Sequence, residues 1–125
     1  MKVDTLSPGT LAFVGDGVYG LLVRRALAEV NRPAGQLHEL SVKLVSATAQ
    51  ARAMDVIEPL LTDKELDVFK RGRNAHVKVP KRATSVEYHR ATGLETMFGY
   101  LYLDGQATRT EFLFNKIWET FSGNI

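Results

Sequence analysis

A chain of 125 residues, 45% hydrophobic and 24% charged, can bury one core without covalent staples and is expected to form a single domain over residues 1–125. The absence of cysteine excludes disulfides and thiolate metal sites and fits a reducing cytoplasm, the opening MKVDTLSPGT lacks the pattern of a secretory signal, and no apolar run approaches the roughly 20 residues of a membrane-spanning helix. The net charge of +2 conceals a segregation: Lys70, Arg71, Arg73, Lys78, Lys81 and Arg82 cluster with His76 and no acid, while the rest of the chain holds ten Lys/Arg against fourteen Asp/Glu. Such a patch attracts polyanions, nucleic acid foremost.

The signals along the chain are helical. Ser7-Pro8, a cap followed by proline in the first turn, opens a helix that should run to about Val30, where Asn31, Pro33 and Gly35 break it. A second helix begins near Gln36, with Leu37, Leu40, Leu44, Ala47 and Ala51 at spacings of three and four, and should stop before Pro59. Three later helices each open on Thr-x-x-Glu, at Thr62, Thr84 and Thr108, the form of a capping box. The last carries Phe112, Ile117, Trp118 and Phe121 as an aromatic face, and Asp104-Gly105 reads as a helix end. No paired strands are signalled, so the fold class is all-α with about five helices. Between Gly72 and Thr84 lies GRNAHVKVPKRAT, long for a loop in a compact helical domain, and it holds most of the basic cluster.

Two acids stand out. On a helical wheel Leu11, Val14, Val18 and Leu22 form the main stripe of the first helix; Asp16 faces away, beside Ala12, Phe13, Tyr19, Gly20 and Val23, so the helix should be buried on most sides. No Lys or Arg lies three or four residues from Asp16, and Gly15, Gly17 and Gly20 together cost about 3 kcal/mol relative to alanine. That cost is reasonable where a backbone or a ligand must come close. Glu95 has the same setting: no basic helical neighbour, and Gly99 four residues on, as Gly20 follows Asp16. Buried carboxylates must be protonated, paired or bound to a cation. Oxygen ligands without thiols point to Mg²⁺, with Mn²⁺ as substitute, and magnesium needs only one or two protein carboxylates. The plain alternative is a polar core network with Arg24, Arg25 or tyrosine hydroxyls. Glu95 is expected to follow the basic loop by about one and a half helical turns, which would make phosphate and metal groups neighbours. His38, His76 and His89 lack metal-ligand spacing, and no nucleophile elbow or phosphate loop is present.

At these residues a family comes into view. LAFVGDGVY resembles the signature helix of the ribonuclease III catalytic domain; TGLETMFGYLYLDG is similar to that family's second motif; and RGRNAHVKVPKRAT resembles the loop of its Mini branch, which has no separate double-stranded-RNA-binding domain. The resemblance runs from about Leu6 to Trp118. It implies a ribonuclease III endonuclease-domain-like helical bundle in which Asp16 and Glu95 are catalytic and hold Mg²⁺. Ala12 and Thr92 stand where full-length relatives have acids, which favours one well-held ion over two. The resemblance further implies a homodimer that hydrolyses phosphodiesters in duplex RNA, leaving 5′-phosphate and 3′-hydroxyl ends. Arg71, Arg73, Lys78, Lys81 and Arg82 would hold phosphates, and Asn74 a 2′-hydroxyl or base edge. The implied substrate is the precursor of large-subunit (23S) ribosomal RNA, with a ribosomal protein as a candidate assistant. The rival reading is a catalytically inactive RNA-binding module associated with the ribosome, which would keep the basic loop and have no use for the two acids.

Overall fold

The computed structural model describes residues 1–75 and 84–125. Among them lie six α-helices and no strand: α1 (Pro8–Val30), α2 (Ala34–Leu44), α3 (Ala47–Ile57), α4 (Asp63–Arg73), α5 (Ser85–Leu103) and α6 (Ala107–Phe121). The all-α expectation holds, with one helix more than the periodicity suggests. The extra boundary is at Ser46, whose hydroxyl accepts the Ala49 N–H at 3.2 Å and donates to the Lys43 carbonyl at 3.0 Å. One serine thus ends α2 and caps α3 within an apolar periodicity that runs straight through.

The caps at Ser7, Thr62 and Thr84 form as expected, each side-chain oxygen accepting from the residue three positions on. Thr108 does not cap. Helix α5 closes on Gly105 at φ 76°, and α6 starts at Ala107, leaving Thr108 inside its first turn. Glu111, freed from the expected box, pairs with Arg25 at 2.7 Å. Helix α4 runs on through Gly72 to Arg73, so the connection to α5 is shorter than the sequence suggests.

Helix α5 is the centre of the bundle and packs on α1, α3 and α4. From Ala91 to Leu101 every residue is buried except Glu95. Tyr19 of α1 meets Phe98 of α5 and Phe114 of α6 edge-on, at centroid distances of 5.4 and 5.7 Å. Helix α6 turns Leu113, Phe114, Ile117 and Phe121 inward; Phe112, expected on the same face, points out beneath Arg109 and Lys116. Glu65 closes the base of α4: it completes the Thr62 box and accepts two bonds from Arg109 at 2.8 Å while almost wholly buried.

The buried side of α1 differs from the expected stripe. Leu11, Gly15, Tyr19, Leu22, Val23 and Leu27 face the core, whereas Val14 and Val18 are only half-buried, and Phe13 and Leu21 are 82% and 67% exposed. The helix is therefore not buried on most sides. Wheel geometry assigns apolar residues to a face, but the partner helix decides which face is covered.

Candidate active site

The site is built on the crossing of α1 and α5. A methyl group added at Gly15 would lie 1.6 Å from the Glu95 carbonyl oxygen, and one added at Gly99 would lie 1.9 Å from that of Leu11. Only glycine permits this approach, closer than the usual 8–10 Å between helix axes allows side chains to share. The pair is Gly15 with Gly99. Gly20, which sequence spacing matched to Gly99, instead leaves room for Arg24, whose guanidinium donates to the Gly20 carbonyl at 3.1 Å. Gly17 has open space around it.

This crossing brings the two acids together. Gly15 meets the Glu95 backbone, and Asp16, the next residue of α1, stands near enough for its carboxylate to act on the Glu95 carboxyl. Their environments differ. Asp16 is exposed, contrary to the expectation of a second buried carboxylate, while Glu95 lies mostly within the helix junction. Burial first, and the adjacent Asp16 carboxylate second, push the Glu95 carboxyl up to about 8. The amide of Gln50, from α3, opposes this by stabilising the ionised form. Beneath them is Tyr19, whose phenol is held above its ordinary range by burial and then by the charge on Glu95.

Neither acid has a cationic partner among the described residues. Arg24 turns back to its own helix and Arg25 goes to Glu111, so the expected alternative of an arginine-linked core network is not formed there. Two carboxylates facing each other, one of them pushed toward neutrality, are a donor set that a hard divalent cation would relieve. Among the described residues no cluster of three or more His, Cys, Asp or Glu exists, so the protein would supply two carboxylates, a number that suits magnesium, which keeps several waters. The Thr92 hydroxyl donates to the Tyr88 carbonyl at 3.0 Å. Ala12 contributes only a methyl group.

Of the expected RNA-binding residues, Arg71, Arg73 and Asn74 end α4, whereas Lys78, Lys81 and Arg82, with His76, lie outside the described residues. Glu95 lies ten residues beyond Ser85, about 15 Å along the helix axis, rather than a turn and a half past the loop. Packing supplies the proximity instead. Gly72 abuts the Thr96 side chain, which sets the basic end of α4 level with Glu95. Arg73 lies over the Phe69 ring at 5.7 Å and donates to the Asn74 side chain at 3.1 Å, while Arg71 and Asn74 are exposed. Gln50 escaped notice in the sequence, although Ala47, Gln50, Ala51 and Met54 share the three-four spacing of one face. A single amide on that face was the available signal.

Among the described residues no helix is long and apolar enough to cross a membrane. The model of the ribonuclease III domain matches residues 9–106. Similar proteins include the Mini-ribonuclease 3 of Symbiobacterium thermophilum, 46% identical over 107 residues that span 84% of this chain and 82% of that one. That of Staphylococcus aureus is 36% identical over 119 residues, 92% of this chain and 89% of the other. A crystal structure of a Fusobacterium nucleatum protein superposes with a TM-score of 0.85 at 26% identity, covering 90% of this chain and 93% of that one. With glycine-crossed helices, a carboxylate from each, and these matches over most of its length, the chain belongs to the ribonuclease III family, in its Mini-ribonuclease 3 branch.

Proposed function

We propose that Asp16 and Glu95 hold a divalent cation, Mg²⁺ or in its place Mn²⁺, against the scissile phosphate of duplex RNA, and that the substrate is the precursor of large-subunit ribosomal RNA in the cytoplasm. That the chain is a double-strand-specific endoribonuclease follows from its family. The observation that supports the finer reading is the Gly15–Glu95 contact, which sets Asp16 against Glu95 with no cation from the described residues between them.

The division of labour follows from the environments. Bound, the cation would supply charge neutralisation at the phosphate and a more acidic water. Glu95, held within the junction, is the fixed ligand, and it must give up its proton to serve. Asp16, exposed on α1, faces the substrate side. Arg71, Arg73 and the basic residues that follow grip phosphates, while Asn74 reaches the shallow groove where A-form RNA displays 2′-hydroxyls. Water attack in line with the 3′-oxygen leaves a 5′-phosphate and a 3′-hydroxyl.

A second copy supports cleavage of both strands. Phe13 and Leu21 project from the outer face of α1, beside a recess of about 400 Å³ lined by Val14, Gly17, Val18, Leu22 and Tyr102. A two-fold pair of these faces would cover them and match the dyad of a duplex. Sedimentation should give a dimer that Phe13→Asp reduces to monomer. A ribosomal protein bound to the precursor would be a further partner in placing the cuts.

Cleavage of a long RNA duplex by the wild type, Asp16→Asn and Glu95→Gln tests the site, with EDTA and a DNA duplex as controls. Metal-dependent cutting of RNA alone, lost in both variants while duplex binding persists, is expected. Cutting that survives either substitution removes that acid from the mechanism.

A further inference from the structure

We propose that Arg24 is a further substrate-binding residue of this site, holding the RNA-backbone phosphate next to the scissile one, and that Gly20 gives its guanidinium the room to do so. The inference rests on the reading of Asp16 and Glu95 as metal ligands. It adds a contact on α1, outside the basic segment from Lys70 to Arg82.

Asp16, Gly20 and Arg24 follow one another at intervals of four, so they run along one flank of α1, about 40° apart at each step. Long side chains on a helix lean toward its N-terminus, and this one does: the Arg24 guanidinium donates to the Gly20 carbonyl at 3.1 Å. The charge thereby comes back one turn, to the level of Gly20, which lies about 6 Å beyond Asp16 along the axis. A methyl group added at Gly20 would meet Arg24 Nη1 at 2.9 Å and, among the described residues, nothing else beyond the helix's own backbone. Glycine here serves a side chain, whereas Gly15 and Gly99 serve the helix crossing.

The bond to Gly20 rescues no orphan group, because a carbonyl in mid-helix already accepts an N–H of the helix ladder. Arg25, Arg90 and Arg109 are each tied to an acid, but among the described residues no carboxylate pairs with Arg24, which is exposed. A guanidinium carries five donors in a fork that fits a phosphate. Beside it a recess of about 270 Å³ opens between α1 and α2, with His38 and Ser41 on its far wall. The Ser41 hydroxyl is spent on the His38 carbonyl at 2.8 Å, which leaves Arg24 as the charged group of the recess. At the other end of the helix Arg71 reaches the Leu6 carbonyl at 3.5 Å, just before α1 begins. Along α1 the two arginines therefore stand on either side of Asp16. A strand with its scissile phosphate at the acids meets one cation on each side of the cut, and such contacts fix its position without reading its bases.

The test compares duplex binding in EDTA as a function of salt, and Mg²⁺-dependent cleavage, for the wild type, Arg24→Gln, Arg24→Lys, Gly20→Ala and the double variant Gly20→Ala/Arg24→Gln. Mn²⁺ binding to the RNA-free chain, followed by electron paramagnetic resonance, is read alongside, with Glu95→Gln included. Arg24→Gln should weaken duplex binding about tenfold and lower the slope of log affinity against log salt by about 1. Arg24→Lys keeps the charge and should keep the slope. Gly20→Ala favours the helix but displaces the guanidinium, so it should weaken binding while the melting temperature stays unchanged or rises. In the Arg24→Gln background it should change binding less than about twofold, because the group it displaces is gone. No substitution at 20 or 24 should weaken Mn²⁺ binding. An unchanged salt slope in Arg24→Gln overturns the contact alone, and so do additive losses in the double variant. A fall in melting temperature that matches the loss of binding in Arg24→Gln also overturns it, because the residue is then structural. Equal Mn²⁺ binding by the wild type and Glu95→Gln overturns the metal site itself, and with it the placing of this phosphate beside the cut.

Discussion

Replacing Glu95 by glutamine should stabilise the metal-free protein at alkaline pH, although the substitution removes one of the two carboxylates proposed to hold the cation. Burial and the neighbouring Asp16 raise the Glu95 carboxyl from 4.5 to about 8. Between those two values the folded chain keeps a proton that the unfolded chain has lost, so stability falls as pH rises through the window. Below it both states are protonated, and above it the loss is complete. At about 1.4 kcal/mol per pH unit the full shift is worth nearly 5 kcal/mol; the exposure of Asp16 lets solvent screen part of it, which brings the expected loss to roughly 2–3 kcal/mol. For a chain of this size that is a decline in melting temperature of roughly 10 °C between pH 5 and pH 9. The assay is thermal unfolding by circular dichroism in EDTA, read as the difference between wild type and Glu95→Gln at each pH. Glutamine cannot ionise, so the difference should be small at pH 5 and grow with pH in favour of the variant. Saturating Mg²⁺ should reverse it, because ligation stabilises the ionised carboxylate in the wild type alone. A pH-independent difference in EDTA would refute the argument that Glu95 carries an unneutralised charge in the helix junction.

Gly15→Ala places a methyl group 1.6 Å from the Glu95 carbonyl oxygen; since the obstacle is backbone, α1 and α5 must separate, and urea unfolding should show a loss of at least about 3 kcal/mol, together with weaker metal binding. Arg109→Ala strips the buried Glu65 carboxylate of its paired bonds at 2.8 Å and should cost about 2–3 kcal/mol at neutral pH, after allowance for the partial exposure of the arginine. Although burial raises Glu65, its bonds to Arg109 and Thr62 bring it below its usual value. The contribution is present above the ordinary carboxylate pKa and lost as pH falls through the lower folded value, so acid titration should narrow the gap between wild type and variant below about pH 4. Reversing Lys78 and Lys81 to glutamate should weaken duplex binding and lower the slope of log affinity against log salt by about 2; an unchanged slope would remove these lysines from the RNA contact.

Much of this protein is written in short-range patterns. Ser7, Thr62 and Thr84 cap helices where the sequence places them, because a cap is a contact between a side chain and a backbone N–H three residues on. Asp16 and Glu95 are conspicuous as acids without helical partners, since a local ion pair depends only on residues three and four away. The motifs around them carry the family resemblance for the same reason: they are contiguous in the chain. Even here local form misleads where a tertiary partner competes, as when Glu111 pairs with Arg25 rather than capping at Thr108.

The tertiary structure alone decided which glycines cross, which acid is buried, and what stands beside it. Gly15 rather than Gly20 meets α5, because the angle and depth at which two helices cross are set by the whole bundle, not by either helix. That crossing makes Glu95 the recessed acid and leaves Asp16 exposed, an asymmetry absent from their matching sequence settings. It also lets Gln50, forty-five residues from Glu95 and on another helix, act on the same carboxylate. A contact of that range leaves no periodicity to read: its energy comes from the low-dielectric junction that forms only when three helices meet.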